Sequence, residues 1–214
     1  IHELNFNSYF IIIILLSGII NLILTNVTNF YDGLDLNLST LLIIFSLSNL
    51  HFLSNNLDLF NQSVLIISFV LGFSFFNYKK DNIFFGDSGC FIIASFMNYH
   101  IINYLIVLDF SLFYLLTAFA LPLFDVLYVL CLRIKLRENL FTRNYHHLYH
   151  RIYYYSKNKL YIFNQIANFL LIIFIYELLK SMNLSETNSI ILSVICVTPL
   201  YYSIIRFIVS RENE

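Results

Sequence analysis

The chain has 214 residues, of which 59% are hydrophobic and 12% charged, and its mean hydropathy is +0.74. A typical soluble domain is about one-quarter charged, so this much apolar surface excludes an ordinary water-soluble globule. The formal net charge of −1 provides no sequence-wide basic footprint and excludes a general nucleic-acid binder.

The chain opens on Ile1, His2 and Glu3, without a basic stretch or a small-residue cleavage site before the first apolar run, so it is expected to start within a longer protein. A membrane-spanning helix needs about 20 apolar residues. Runs of that kind fall near 9–28, 38–54, 61–77, 90–108, 111–132, 160–180 and 188–209, which predicts about seven spans. The second run is interrupted by Asn49, His51, Ser54 and Asn55, and a tilted or re-entrant segment is the other reading there. The fold expected is therefore all-α, a polytopic transmembrane helical bundle forming one domain over 1–214. Cys90, Cys131 and Cys196 lie far apart inside apolar runs, with neither metal-ligand nor disulfide spacing.

Basic residues set the expected orientation, because cytoplasmic loops retain Lys and Arg. With seven spans, the inward loops near 29–37, 78–89 and 133–159, the adjoining helix ends and the C-terminal tail hold Lys79, Lys80, Arg133, Lys135, Arg137, Arg143, Arg151, Lys157, Lys159, Arg206 and Arg211. Only Lys180 falls on the other side. A multi-pass protein of the cell (inner) membrane with its polar loops in the cytoplasm follows as the expectation.

The first of these loops carries Asn26, Asn29 and Asp32 at i+3 spacing, which places them on one face of a helix end, with Asp35 extending the stripe if the helix continues. Carboxylates at the membrane boundary are costly unless hydrated, paired or coordinating a cation. A polar helix cap at the lipid interface is the plainer reading. In the second loop, Phe84, Gly86, Asp87, Ser88 and Gly89 lead straight into a span. Glycines bracketing an acid at a helix N-terminus suit phosphate oxygens, and Asp87 suits Mg²⁺, which takes one or two carboxylates plus substrate phosphates and waters. The plainer reading is that Asp87 and Ser88 cap the helix.

The third loop is basic and holds His146, His147, His150 and Arg151, a composition able to close over an anionic, nucleotide-like substrate. It equally suits binding to anionic headgroups. His146 and His150 have the i, i+4 spacing of zinc ligands, but no Glu follows His146 in the metalloprotease manner and no third ligand is close by. Tyr153, Tyr154 and Tyr155 read as interfacial belt residues. Asp125 lies inside the fifth run after Pro122, and an ionisable group within a span is a functional candidate by default. Glu177 lies near the outward end of the sixth run and is expected to snorkel to water.

Together the three loops resemble the polyprenyl-phosphate N-acetylhexosamine-1-phosphate transferase family. Its Asn-x-x-Asn-x-x-Asp-Gly-x-Asp-Gly pattern is met by Asn26, Asn29, Asp32, Gly33 and Asp35, with Leu36 in place of the final Gly. Its Phe-x-Gly-Asp-x-Gly pattern is met by Phe84, Gly86, Asp87 and Gly89. Its His-x-His-His element is similar to the stretch from Asn144 to His147, with Asn144 in place of the first His, and Asp125 is similar to an acid of the GlcNAc-1-phosphate branch.

The resemblance covers essentially the whole chain, as the C-terminal two-thirds of the family fold, with the family's paired aspartates upstream of Ile1. It implies transfer of an N-acetylhexosamine-1-phosphate, GlcNAc-1-phosphate by preference, from a UDP-sugar to undecaprenyl or another polyprenyl phosphate, releasing UMP and initiating lipid-linked cell-envelope glycan synthesis. It implies Mg²⁺, with Mn²⁺ as a substitute, held by Asp87 and Asn29. Asp32, Asp35 and Asp87 are the implied catalytic acids. Asn26, Phe84, His146, His147 and Arg151 are the implied substrate contacts, with Asp35 and Phe84 placed at the uracil. A homodimer is compatible with it. The competing expectations are a truncated or degenerate non-catalytic membrane paralogue and, less well matched because the acids cluster at one face, a cation transporter.

Overall fold

The computed structural model describes residues 2–52, 57–78, 83–107, 114–139 and 145–212. Among these, every regular element is a helix: α1 (His2–Tyr31), α2 (Asn37–Phe52), α3 (Leu57–Tyr78), α4 (Gly86–Val107), α5 (Tyr114–Leu136), α6 (Leu148–Ser156), α7 (Leu160–Ser181) and α8 (Glu186–Glu212). The described parts of all seven apolar runs are helical. Backbone groups in hydrocarbon must be satisfied within the segment, which leaves the helix as the only open-chain solution. Lys79, Lys80, Arg143 and Asn144 lie outside the described residues.

Among the described residues, four helical stretches are long and apolar enough to cross a bilayer: Ile11–Tyr31, Leu57–Tyr78, Thr117–Leu136 and Leu160–Ser181. The described part of α2 has 16 residues. At 1.5 Å per residue it is about 24 Å long, short of the roughly 30 Å hydrocarbon core. The distribution of side chains is that of a multi-pass membrane protein. Leu22, Leu65, Phe163 and Phe174 are exposed, whereas Thr28, Ser46, Ser63, Ser189 and Ser193 are fully buried. Where lipid replaces water there is no drive to hide apolar groups, and small polar residues turn inward to pack and hydrogen-bond. Several bond their own helix, as Ser63 Oγ does to the Leu59 carbonyl at 2.9 Å and Ser74 Oγ to that of Val70 at 2.6 Å. All three cysteines are free thiols.

The chain divides into two compact units, 1–38 with 75–112 and 39–74 with 113–214, so the last turn of α3 belongs to the first and its remainder to the second. In the first unit α1 packs along α4. Asn98 Nδ2 donates to Ser17 Oγ at 2.9 Å, and Thr28 Oγ1 donates to the Cys90 carbonyl at 3.3 Å. In the second unit α7 and α8 form an antiparallel pair, with α5 and α6 packed on both. Its core is Ala120, Ile172, Val194 and Val197, flanked by Phe124, Leu171 and Ile175. The α7–α8 connection is short because Asn183 takes a left-handed turn at φ 63°. The helix α2 meets α5 through the Phe45–Phe119 ring pair and a 2.9 Å hydrogen bond between the hydroxyls of Ser48 and Thr117.

Buried hydroxyl pairs between membrane helices couple by about 0.6 kcal/mol on average and up to about 1.7. A double-mutant cycle of Ser48→Ala and Thr117→Ala, read by unfolding in detergent micelles, is expected to give a coupling in that range. Strict additivity contradicts the α2–α5 contact.

Candidate active site

The first unit gathers the two aspartate motifs at one end of the α1–α4 pair. The helix α1 ends at Tyr31, and residues 32–36 form a tight connection before α2. Asp32 N–H donates to the Thr28 carbonyl at 2.9 Å, Gly33 N–H to that of Phe30 at 3.2 Å, and the buried Asn37 amide to that of Tyr31 at 3.1 Å. The chain therefore turns before Asp35, which leaves the i+3 stripe as Asn26, Asn29 and Asp32 alone. Asp35 sits in the turn instead, half-buried. Asn26 is exposed and donates its Nδ2 to the Leu22 carbonyl at 2.9 Å along its own helix.

Asp32 joins the motifs. Its carboxylate accepts the Gly86 N–H at 2.8 Å and the Phe85 N–H at 3.2 Å, closing the N-terminal end of α4. Two expectations change as a result. Asp32, not Asp87 with Ser88, provides the carboxylate cap, and two of the amides expected to face phosphate are already occupied by it. Asp87 is left exposed in the first turn of α4. Burial lifts the Asp32 carboxyl above its ordinary value, the amide bonds and the Cys90 thiol pull it back, and the nearby Asp87 charge adds to the lift.

Both glycines of the second motif are required locally. Gly86 has φ +66°, and a Cβ on Gly89 would lie 2.9 Å from that of Phe85. Phe84, just before this turn, is 37% exposed. In the first motif Leu36, standing where the family pattern has Gly, takes φ 61°. A left-handed L-residue costs about 1–2 kcal/mol. Its N–H is accepted by Asn77 Oδ1.

Two features of the first unit fit a cation. Asn29 Oδ1 is a buried oxygen without a hydrogen-bond partner, and Asp87 lies close enough to Asp32 for their charges to repel. Among the described residues no group of three His, Cys, Asp or Glu side chains is assembled for a metal. A single carboxylate and an amide oxygen are of the hard donor type that a cation such as Mg²⁺ takes together with phosphates and waters.

In the second unit a buried carboxylate again receives the start of a helix. Asp125, 1% exposed, accepts the Leu148 N–H at 2.7 Å, a bond with His147 Nδ1 at 2.8 Å, and the Tyr201 hydroxyl at 3.1 Å. It thereby anchors α6, a helix not expected inside the 133–159 loop. His147 is buried, its ring stacked on that of Tyr149 at 5.3 Å. His146 precedes α6 and pairs through Nε2 with the Glu138 carboxylate at 3.1 Å, while Arg151 Nε donates to the His146 carbonyl at 3.1 Å. His150 is buried between the rings of Tyr145 and Tyr149, at 5.2 and 4.5 Å. Because α6 starts at Leu148, His146 and His150 do not share one helix face as a zinc pair would. Tyr153, Tyr154 and Tyr155 are exposed, and the Lys157 ammonium lies 4.4 Å above the Tyr154 ring, a placement suited to an interfacial belt.

Tyr201, Glu138 and Asn77 belong to no motif and were not expected. Removing one hydrogen bond to a charged group costs about 1.5–3 kcal/mol, and breaking a buried charged set costs about 3–5 kcal/mol. Tyr201→Phe is therefore expected to lower thermal stability in detergent, and Asp125→Ala, which removes all three bonds, to lower it clearly more. Equal small effects contradict the anchoring of α6 by Asp125.

Comparison with known proteins bears on the first unit most directly. The family described as Glycosyl transferase family 4 matches residues 1–105. Both aspartate motifs lie in that segment; Asp125 and the His-rich stretch lie beyond it. A Bacillus subtilis (strain 168) protein named "Probable undecaprenyl-phosphate N-acetylglucosaminyl 1-phosphate transferase" is 27% identical over 159 residues, covering 70% of this chain and 42% of its own length. The chain thus spans under half the length of that relative. No solved structure matches it significantly. The segment that carries the two motifs joined through Asp32 is thus similar to glycosyl transferase family 4.

Proposed function

We propose that the protein transfers N-acetylhexosamine-1-phosphate, GlcNAc-1-phosphate in the first instance, from a UDP-sugar to undecaprenyl or a related polyprenyl phosphate. The observation that carries this reading is the assembly at one end of α1 and α4: Asp32 on the Phe85 and Gly86 amides, Asp87 exposed beside it, and the Asn29 oxygen left unmatched. The name of the B. subtilis relative supports undecaprenyl phosphate as acceptor and N-acetylglucosaminyl 1-phosphate as the group moved.

The lipid phosphate oxygen attacks the β-phosphorus of the UDP-sugar, the bond from that phosphorus to the bridging oxygen breaks, and UMP leaves. Asn29 and Asp87 are the residues that would hold Mg²⁺ or Mn²⁺. When bound, the ion supplies neutralisation of pyrophosphate charge. Asp32 fixes the start of α4 and with it the position of Asp87. Asp35 and Phe84 take the uracil, with Phe84 supplying a ring face and Asp35 an acceptor. Asn26 lies one turn before Asn29 as a further polar contact. By resemblance to the family's His-rich element, His146, His147 and Arg151 are assigned to phosphate and sugar recognition, in a stretch where Asp125 holds His147 and the start of α6. Catalysis of this kind rests on positioning and charge stabilisation more than on covalent chemistry by the protein. The bias of Lys and Arg supports an inner-membrane protein with these loops in the cytoplasm, where UDP-sugars are made.

The test is UMP release by the full-length native protein in detergent with Mg²⁺, undecaprenyl phosphate and UDP-GlcNAc. Asp87→Ala, an exposed change, is expected to abolish release and to remove the rise in melting temperature that Mg²⁺ gives the wild type. Unchanged turnover and an unchanged Mg²⁺ response contradict the assignment of Asp87. Parallel assays with other UDP-N-acetylhexosamines define the sugar.

A further inference from the structure

Asn77 is the penultimate residue of α3 and lies outside both family patterns. It is 3% exposed, and a primary amide buried to that degree is costly unless both its ends are matched. They are matched by the main chain of the two motif loops. Its Oδ1 accepts the Leu36 N–H, and its Nδ2 donates to the Ile83 carbonyl at 2.6 Å.

Leu36 directly follows Asp35, and Ile83 directly precedes Phe84. One side chain therefore holds the backbone beside each of the two residues assigned to the uracil. The left-handed turn at Leu36 makes this tie more than incidental. A leucine at φ 61° does not favour that conformation by itself, and the hydrogen bond to Asn77 is formed by the N–H of that residue.

We propose that Asn77 is a positioning residue for nucleotide binding: it bridges the two motif loops and fixes the separation of Asp35 from Phe84, and so governs affinity for the uridine nucleotide without touching it. The inference rests on the transferase reading of the first unit. It extends that reading by naming what sets the width of the base site.

Asn77→Asp is the informative change, because it keeps size and the acceptor toward Leu36 and turns the donor toward Ile83 into a carboxylate oxygen facing a carbonyl. Full-length native protein in detergent with Mg²⁺ is assayed for UMP release against UDP-GlcNAc and undecaprenyl phosphate in turn. The expected result is a KM for the UDP-sugar raised about tenfold, as for one lost buried hydrogen bond, with kcat and the KM for the lipid little changed. The defect, taken as the variant-to-wild-type ratio, is expected to shrink as pH falls, since protonating the introduced carboxyl restores a donor to Ile83; burial beside a carbonyl raises its pKa and brings this into the mildly acidic range. If Asn77→Asp does not fold, Asn77→Ser carries the test, with the same KM-selective defect and no recovery in acid. Wild-type turnover with an unshifted UDP-sugar KM in the variant, or with equal losses toward both substrates, overturns the positioning role alone. Absence of turnover in the wild type overturns the transferase reading and this inference with it.

Discussion

In the first unit the carboxylate of Asp32 accepts two consecutive backbone amides, those of Phe85 and Gly86, across more than fifty residues of chain. The bond stabilises a helix end, because the N-terminal amides of α4 have no partner within the helix and carry its positive dipole end. It also decides where Asp87 stands, since Asp87 is the next residue after those amides. The two polar motifs, separate in sequence, are brought together by this contact. The requirements around it are equally local: Gly86 for its positive φ, and Gly89 for the approach of Phe85.

The second unit uses the same device on another pair of elements. Asp125, buried in α5, receives the first amide of α6 together with His147 and Tyr201. In each unit a carboxylate borne on or beside one helix pins the start of a later one. A carboxylate so placed in an apolar surrounding is retained because its lone pairs are filled by donors, as burial of charge demands. Polar chemistry is thus concentrated at helix starts, while the lipid-facing surfaces are left to Ile, Leu and Phe.

Much of this was legible in the sequence, and the parts that were not have physical reasons. The apolar runs gave the helices because segment length and hydropathy dominate in lipid. Asn29, Asp32, Gly86, Asp87 and Gly89 were singled out by spacing that survives in the structure. Asp35 left its helical stripe because the chain turns after Tyr31 and passes through a left-handed Leu36, a position where sequence spacing alone suggests continuation. The helix α6 was hidden because it has nine residues, too few for periodicity to stand out, and depends on a distant carboxylate for its start. Asn77 and Tyr201 were silent since Leu36 and Asp125 come from remote segments, and Glu138 because no helical spacing links it to His146.

The central claim is that Asp32 is the joint between the two motifs, and hydrogen exchange tests it most directly. In the wild type the Phe85 and Gly86 amides are expected to be protected. In Asp32→Ala those two amides are predicted to lose protection along with the first turn of α4, while the α7–α8 pair of the second unit keeps its own. Protection at Phe85 and Gly86 that is unchanged by Asp32→Ala would contradict the account.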